Sequence, residues 1–153
     1  MPIAPASAAP PRSLAITRIF KAPRDLVWRA WTDPALAVRW WGPKEYPASD
    51  VVMDVRVGGV WHGRLDGVDD GKVLTHRGVF REVRAPERLA FTFAWDEDGE
   101  RGLETLVTID FYELAGDRTR MEFRQTPFQS DNERDGHTYG WNSAFDRLDA
   151  ALP

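Results

Sequence analysis

The chain has 153 residues, a formal net charge of −4 and no cysteine. This length is typical of one domain with a core of its own. The negative charge disfavours nucleic acid as a partner. The absence of cysteine excludes disulfides, thiolate metal ligands and a cysteine nucleophile. The main compositional departure is tryptophan, with seven residues, which would fill core volume or line a ligand cavity.

The N-terminal segment is rich in alanine and proline and lacks the basic start and apolar middle of a signal peptide. We interpret 1–12 as a disordered tail and 13–153 as a single domain. No apolar run approaches the roughly 20 residues that a membrane span needs. We therefore expect a cytoplasmic protein that does not enter a membrane.

Hydrophobic periodicity predicts one strand, then two short helices, then six further strands. The first strand covers 13–21 and the helices cover 22–33 and 35–41, with Gly42-Pro43 ending the second helix. Alternating apolar residues and short turns place the other strands at 51–57, 60–66, 72–84, 88–95, 105–114 and 118–126. Consecutive strands joined by short turns form an antiparallel sheet.

The last predicted element is a long helix with an aromatic stripe. Ser130 or Asp131 is suited to cap its start. Apolar residues recur at helical spacing at Trp141, Ala144, Phe145, Leu148 and Leu152. The opposite side carries Asn142, Asp146, Arg147 and Asp149. Because such a stripe needs a large apolar partner, we expect the sheet to wrap around this helix, leaving a cavity between them.

Several sequence motifs follow one another along the chain. They are 20–34, Arg39-Trp40-Trp41-Gly42-Pro43, Gly58-Gly59-Val60-Trp61, Pro86-Glu87-Arg88-Leu89, Gly140-Trp141 and Asp146-Arg147-Leu148. Together they resemble the motifs of bacterial homologues of the activator of the heat-shock protein 90 ATPase. The motifs occur in the family's order across 14–152. The resemblance implies the α+β helix-grip fold of the START-like (SRPBCC) superfamily. In that fold an antiparallel sheet of about seven strands wraps around a long C-terminal helix, with two short helices after the first strand.

The resemblance also implies a deep hydrophobic cavity, but it does not imply one activity. The superfamily includes lipid carriers, polyketide aromatase/cyclases, hormone receptors and plant allergens. The eukaryotic activator has an additional N-terminal domain that docks on the chaperone, where this chain has only the Ala/Pro-rich segment. The resemblance therefore favours ligand binding over chaperone activation, although the family's name suggests a role in stress response.

Three functional hypotheses follow. The leading one is binding of a small hydrophobic or aromatic molecule without catalysis and without a cofactor, by a monomer or weak homodimer. The second is an enzyme of the aromatase/cyclase type, in which an Arg, Tyr or His side chain would move protons. The third and least favoured is a chaperone partner, because the outward-facing residues are mostly charged and only Trp28 and Trp41 remain for a docking surface.

The candidate cavity-lining residues come from every element whose apolar face should meet the helix. They are Val27, Trp31, Trp40, Val51, Met53, Val55, Trp61, Arg77, Val79, Phe91, Phe93, Thr108, Tyr112, Met121, Phe123, Gln125, Trp141 and Phe145. Aromatic and aliphatic side chains dominate, as in most ligand pockets. The polar members would orient a ligand.

Two of the three histidines lie on neighbouring predicted strands. If the turn between these strands is symmetric about Asp69, His62 and His76 oppose each other with Cβ atoms about 4.5–5.5 Å apart. Trp61 is expected to be buried, which turns His62, and with it His76, towards solvent. No third ligand has a convincing spacing, so we predict no metal. No G-x-S-x-G nucleophile motif occurs, and we predict no catalytic residue.

Overall fold

The computed structural model describes residues 12–97 and 100–153. β1 (Arg12–Phe20) leads into two short helices, α1 (Arg24–Thr32) and α2 (Pro34–Ala37). The remaining strands are β2 (Ala48–Met53), β3 (Val60–Asp66), β4 (Val73–Arg84), β5 (Arg88–Glu97), β6 (Glu100–Arg101), β7 (Thr105–Leu114) and β8 (Arg118–Phe128). The last element is α3 (Asp131–Ala151). The proposed tail lies outside the described residues apart from Arg12, which begins β1.

The strands form one antiparallel sheet in the order β1-β8-β7-β5-β4-β3-β2, and β6 pairs with β5 beside this path. Ser130 caps α3, because its side chain accepts a hydrogen bond from the backbone N–H of Glu133. α3 then packs on the sheet through Trp141, Ala144, Phe145 and Leu148. The predicted α+β architecture is confirmed. Within 12–97 and 100–153, no helix combines the length and apolarity required to cross a membrane.

α2 is shorter than the predicted helix. Asp33 caps it by accepting a hydrogen bond from the N–H of Ala35, and Pro34 occupies its first turn. Residues 38–40 form a turn rather than continuing the helix. Gly42 follows with φ +85°, a left-handed conformation that favours glycine. The chain then runs along α3 and meets Arg147, Ser143 and Tyr139 in turn.

β2 begins and ends earlier than the alternating pattern predicted. Its last residue is Met53, and the N–H of Gly59 donates to the carbonyl of Arg56 in the turn that follows. Val55 therefore lies outside the strand, partly buried against the core, while Val57 is exposed. Because valine alternates with charged residues into this turn, the predicted strand ended too late.

The core is aromatic and centred on Trp31. Its ring centroid lies 4.7–6.3 Å from those of Trp40, Trp41, Phe91, Phe123, Trp141 and Phe145. A void of about 10 Å³ beside Trp31, Trp61 and Phe91 has room for about one water molecule. The interior around Trp31 is thus packed rather than hollow.

Candidate functional site

An apolar cavity of about 280 Å³, partly open to solvent, lies between the N-terminal half of α3 and the sheet. The segment after α2 contributes Trp41, Gly42, Pro43 and Tyr46. β3, β4 and β5 contribute Leu65, Leu74, His76, Phe93 and Trp95. α3 contributes Gly136, His137, Gly140, Trp141 and Ala144. None of these described residues is Asp, Glu, Lys or Arg, so the cavity wall carries no permanently charged side chain.

The space arises from a row of small residues on α3. Gly136, Gly140 and Ala144 recur every four positions and therefore share one helix face. A Cβ atom added at Gly136 or Gly140 would meet no heavy atom within 4 Å. The missing side chains leave the helix and the sheet apart at this point, while Trp141 of the same helix contributes its side chain to the cavity wall.

A neighbouring face of α3 holds the segment that forms the outer wall. One guanidinium nitrogen of Arg147, Nη1, donates to the carbonyls of Trp41 and Gly42 at 3.1 and 2.8 Å. The backbone N–H of Lys44 donates to Ser143 Oγ at 2.9 Å, and the hydroxyl of Tyr139 donates to the carboxylate of Glu45. Tyr139, Ser143 and Arg147 are again four residues apart. Arg147 was expected on the polar face and is instead half-buried, because it caps the carbonyls that follow α2.

Two buried contacts place His76 in the cavity wall. Its Nε2 accepts a 2.7 Å hydrogen bond from the indole N–H of Trp41. Its ring lies nearly parallel to that of Phe93, with centroids 5.0 Å apart. Gly63 lies opposite His76 on β3, and a Cβ there would approach His76 Nε2 to 3.0 Å. The absence of a side chain at Gly63 therefore makes room for the Trp41–His76 hydrogen bond.

His137 occupies the corresponding position on the helix side. Its Nε2 accepts a 3.0 Å hydrogen bond from the indole N–H of Trp95. Its ring also meets Phe93 edge-on, with centroids 5.6 Å apart. Both histidines that border the cavity therefore accept hydrogen bonds from tryptophan.

Burial shifts the pKa values of both histidines strongly. Desolvation, followed by the nearby His137 and His62, lowers the pKa of His76 to about 3. Desolvation lowers the pKa of His137 to about 4. In both cases burial penalises the charged imidazolium, so both side chains are neutral at physiological pH.

The predicted cavity-lining residues fall into three groups. Phe93 and Trp141 border the cavity. A larger group is buried in the core or partly buried against it: Val27, Trp31, Trp40, Val51, Met53, Val55, Trp61, Phe91, Met121, Phe123, Gln125 and Phe145. The third group lies on the outer face of the sheet, because its chain neighbours point inward: Arg77, Val79, Thr108 and Tyr112.

Gln125 finds partners for its polar side-chain atoms inside the core. Its Oε1 accepts a 2.8 Å hydrogen bond from the indole N–H of Trp141, and its Nε2 donates to Thr105 Oγ1 at 2.8 Å. Gln125 therefore points inward, as predicted, and its side-chain oxygen and nitrogen are both hydrogen-bonded within the protein. It braces Trp141 behind the cavity.

The prediction that His76 is exposed was wrong, because the assumed pairing of β3 with β4 was shifted by one residue. His62 pairs with Arg77, and His76 pairs with Gly63. Opposed residues share a face of the sheet, so the exposed His62 takes Arg77 outward and leaves His76 inside. Among the residues that the structure describes, no group of three or more His, Asp or Glu side chains is arranged to hold a metal.

Several cavity residues were missed at the sequence level. His76 and His137 were not included in the predicted set, nor were Tyr46, Gly136 and Gly140. The available signal was the four-residue spacing of Gly136, Gly140 and Ala144 within the predicted helix. Glycine in a helix interior is unfavourable by about 1 kcal/mol relative to alanine, so two glycines on one face indicate a requirement for space.

Comparison with known proteins supports the fold. A protein of Chromobacterium violaceum is 22% identical, with 93% of this chain and 98% of that one covered and a TM-score of 0.81. A protein of Arthrobacter aurescens is 29% identical, with 92% and 85% covered and a TM-score of 0.81. The AHSA1 protein of Silicibacter pomeroyi is 24% identical, with 91% and 96% covered and a TM-score of 0.80. No curated protein matches the chain.

A family model covers most of the sequence. Residues 21–153 match the model described as Activator of Hsp90 ATPase homolog 1-like protein. The matched range begins directly after β1 and includes every segment that lines the cavity. The predicted family resemblance is confirmed, and the chain belongs to the family of Activator of Hsp90 ATPase homolog 1-like proteins.

Proposed function

We propose that the protein binds a small aromatic or hydrophobic molecule in the cavity between α3 and the sheet. The observation that carries this proposal is the 280 Å³ apolar space kept open by Gly136 and Gly140. Ligand pockets are mostly apolar, with a few polar groups that orient the ligand. The volume lies just below the usual range of about 300–1,000 Å³, which favours a compact ring system over a sterol.

The test combines ligand detection with a variant that fills the cavity. Native mass spectrometry of the purified protein would detect a bound molecule, and a thermal-shift screen of fatty acids, sterols, polyketides and naphthalene derivatives would find others. Gly140→Leu places a side chain in the open space and should abolish binding while the protein stays folded. Ala150→Leu adds the same side chain at an exposed position of the same helix and should leave binding unchanged. Equal binding by both variants would refute the proposed site.

An enzyme of the aromatase/cyclase type is a second candidate, because a buried histidine borders the cavity. A general base works best when its pKa is near the operating pH. The pKa of His76, lowered to about 3 by burial, makes it a weak base at neutral pH and leaves it suited to donate a hydrogen bond. Ring closure with loss of water from a reactive polyketone in the presence of the protein, measured by mass spectrometry and lost in His76→Gln, would favour this candidate over binding alone.

We expect no stimulation of a bacterial heat-shock protein 90 ATPase by the isolated chain. Trp28 and Trp41, the aromatic residues that the sequence left for a docking surface, are both buried. Exposed charges such as Arg56 and Arg64 pair with neighbouring carboxylates of the same strand or turn, as solvated surfaces commonly do. A steady-state ATPase assay at rising concentrations of the chain measures this. A saturable increase in rate would contradict it.

A further inference from the structure

The two tryptophan–histidine hydrogen bonds fix where the histidine protons lie. Indole nitrogen is a donor only, so Nε2 of His76 and Nε2 of His137 must both be unprotonated to accept. A neutral imidazole carries one proton, which is therefore on Nδ1 in each ring. Each cavity histidine thus has an N–H group in addition to the nitrogen that tryptophan engages.

These Nδ1–H groups have no acceptor within the described residues. Nδ1 of His76 is buried and has no hydrogen-bond partner. Within the described residues, the side chain of His137 forms one hydrogen bond, which its Nε2 accepts from Trp95. The buried, unsatisfied donor of His76 is unfavourable by about 1–3 kcal/mol, whereas His137 is only partly buried. A molecule that brought an acceptor atom into the cavity would relieve this penalty.

The surroundings of the histidines select against a charged ligand. The described lining residues include no Asp, Glu, Lys or Arg, so an ionised group would be buried without a partner, which is strongly unfavourable. The aromatic rings of Trp41, Phe93 and Trp95 form the walls beside the histidines. Flat apolar molecules stack or pack edge-on against such rings.

We propose that the ligand is a neutral aromatic carbonyl compound whose oxygen accepts a hydrogen bond from Nδ1 of His76 or His137, an inference that rests on the proposed ligand-binding function. The aromatic part packs against Phe93 and Trp95, and the oxygen supplies the acceptor that the cavity lacks. The buried, low-pKa state of both imidazoles supports this assignment, because each stays a neutral donor at physiological pH.

The histidine tautomers provide the first test and need no ligand. Long-range ¹H–¹⁵N correlation spectra of the full chain at pH 7 distinguish a proton on Nδ1 from one on Nε2. We expect both His76 and His137 to carry the proton on Nδ1. A proton on Nε2 in both rings would overturn the proposal, because the donors would then be absent.

Three matched probes test the ligand class. 2-Acetylnaphthalene has the carbonyl, 2-isopropenylnaphthalene replaces that oxygen with a CH₂ group, and 2-naphthoate carries a charge in the same place. One neutral hydrogen bond contributes roughly 1 kcal/mol, and 1.4 kcal/mol is a factor of ten. We therefore expect the ketone to bind about five- to tenfold more tightly than the hydrocarbon, and the carboxylate to bind most weakly, measured by tryptophan fluorescence quenching at pH 7.

The outcomes separate this inference from the proposed function. If ketone and hydrocarbon bind equally and Gly140→Leu abolishes both, ligand binding stands and the carbonyl inference is overturned. If no probe binds, the carbonyl inference is overturned, while the proposed function is still decided by native mass spectrometry and the wider screen. If binding survives Gly140→Leu, both are overturned. The Nδ1 resonance that shifts on adding ketone identifies the donor. The matching variant, His76→Leu or His137→Leu, should remove the preference for ketone. Because His76 is buried, the spectra of the unmutated chain provide the test that does not depend on a variant folding.

Discussion

The two halves of the interface between α3 and the sheet are built differently. In the C-terminal half, Phe145 and Leu148 are fully buried, and the ring of Phe145 lies 6.0 Å from that of Trp31. In the N-terminal half, Gly136 and Gly140 present no side chain, and a cavity of about 280 Å³ remains. One helix thus completes the core with its second half and borders an open site with its first. We infer that stability resides mainly in the packed half and ligand binding in the open half.

The largest test of this difference compares two tryptophans. Trp31→Ala removes a fully buried side chain from the packed half and should lower the free energy of unfolding by about 3–5 kcal/mol. Trp95→Ala removes a half-buried side chain that already borders open space, so the loss should be smaller. Urea denaturation of the two variants and the unmutated chain measures both. Equal losses would show that the two halves contribute alike to stability.

The pH dependence of stability reports on the open half, where His76 and His137 lie. Their folded-state pKa values, about 3 for His76 and about 4 for His137, lie below the value of 6.5 expected in the unfolded chain. The unfolded state therefore binds more protons as the pH falls below 6.5, and stability is lost with acidification. Between pH 6.5 and 5.5 each histidine should lower the free energy of unfolding by roughly 1 kcal/mol.

A single variant sharpens this pH prediction. His137→Leu removes one of the two groups and should reduce the loss between pH 6.5 and 5.5 by about half. Urea midpoints measured across this range provide the comparison. Carboxylates titrate mostly below this window, at about 3.9–4.3, so they contribute little to the difference. An unchanged pH dependence in His137→Leu would mean that His137 is not buried as the structure describes.

The sheet faces show which structural features the sequence could and could not predict. Alternation alone placed Trp61, Phe91 and Phe93 inside. The β3–β4 turn is one residue longer than assumed, because Asp66 pairs with Val73. That single residue reversed the predicted facing of His76 and its neighbours along β4, since side chains alternate between faces.

A second wrong prediction, the inward facing of Thr108, was inconsistent with the pairing of β7 and β8. Gln125 was correctly placed inside, and it pairs with Val107. Because opposed residues share a face, Thr108 must then point outward, as it does. The prediction that Thr108 lines the cavity was inconsistent with this pairing. The cavity itself depends on Gly136 and Gly140. These residues have no side chain, so hydrophobic periodicity does not reveal their role.

Arg147 tests whether the outer wall of the cavity depends on α3. Its guanidinium donates to carbonyls of the segment after α2, and hydrogen bonds to charged groups contribute about 1.5–3 kcal/mol. Arg147→Ala should lower the free energy of unfolding by about 1.5 kcal/mol and speed hydrogen exchange at the amides of Tyr46 and Ala48. Arg134→Ala removes a surface ion pair on the same helix and should have little effect. Unchanged exchange in Arg147→Ala would show that the wall is held by other contacts.

The smallest expected effect has the opposite sign and concerns the glycines that keep the cavity open. A Cβ at Gly136 or Gly140 meets no heavy atom within 4 Å, and alanine is favoured over glycine in a helix by about 1 kcal/mol. Gly140→Ala should therefore stabilise the protein by up to about 1 kcal/mol while weakening ligand binding, because the methyl group takes part of the cavity. Gly78→Ala is the contrasting control, since its Cβ would lie 1.7 Å from the carbonyl oxygen of Thr92 and must distort the sheet. Thermal melts and probe titrations of both variants measure these effects. A Gly140→Ala protein that is less stable than the unmutated chain would mean that the open half is packed after all, and the contrast between the two halves of α3 would fail.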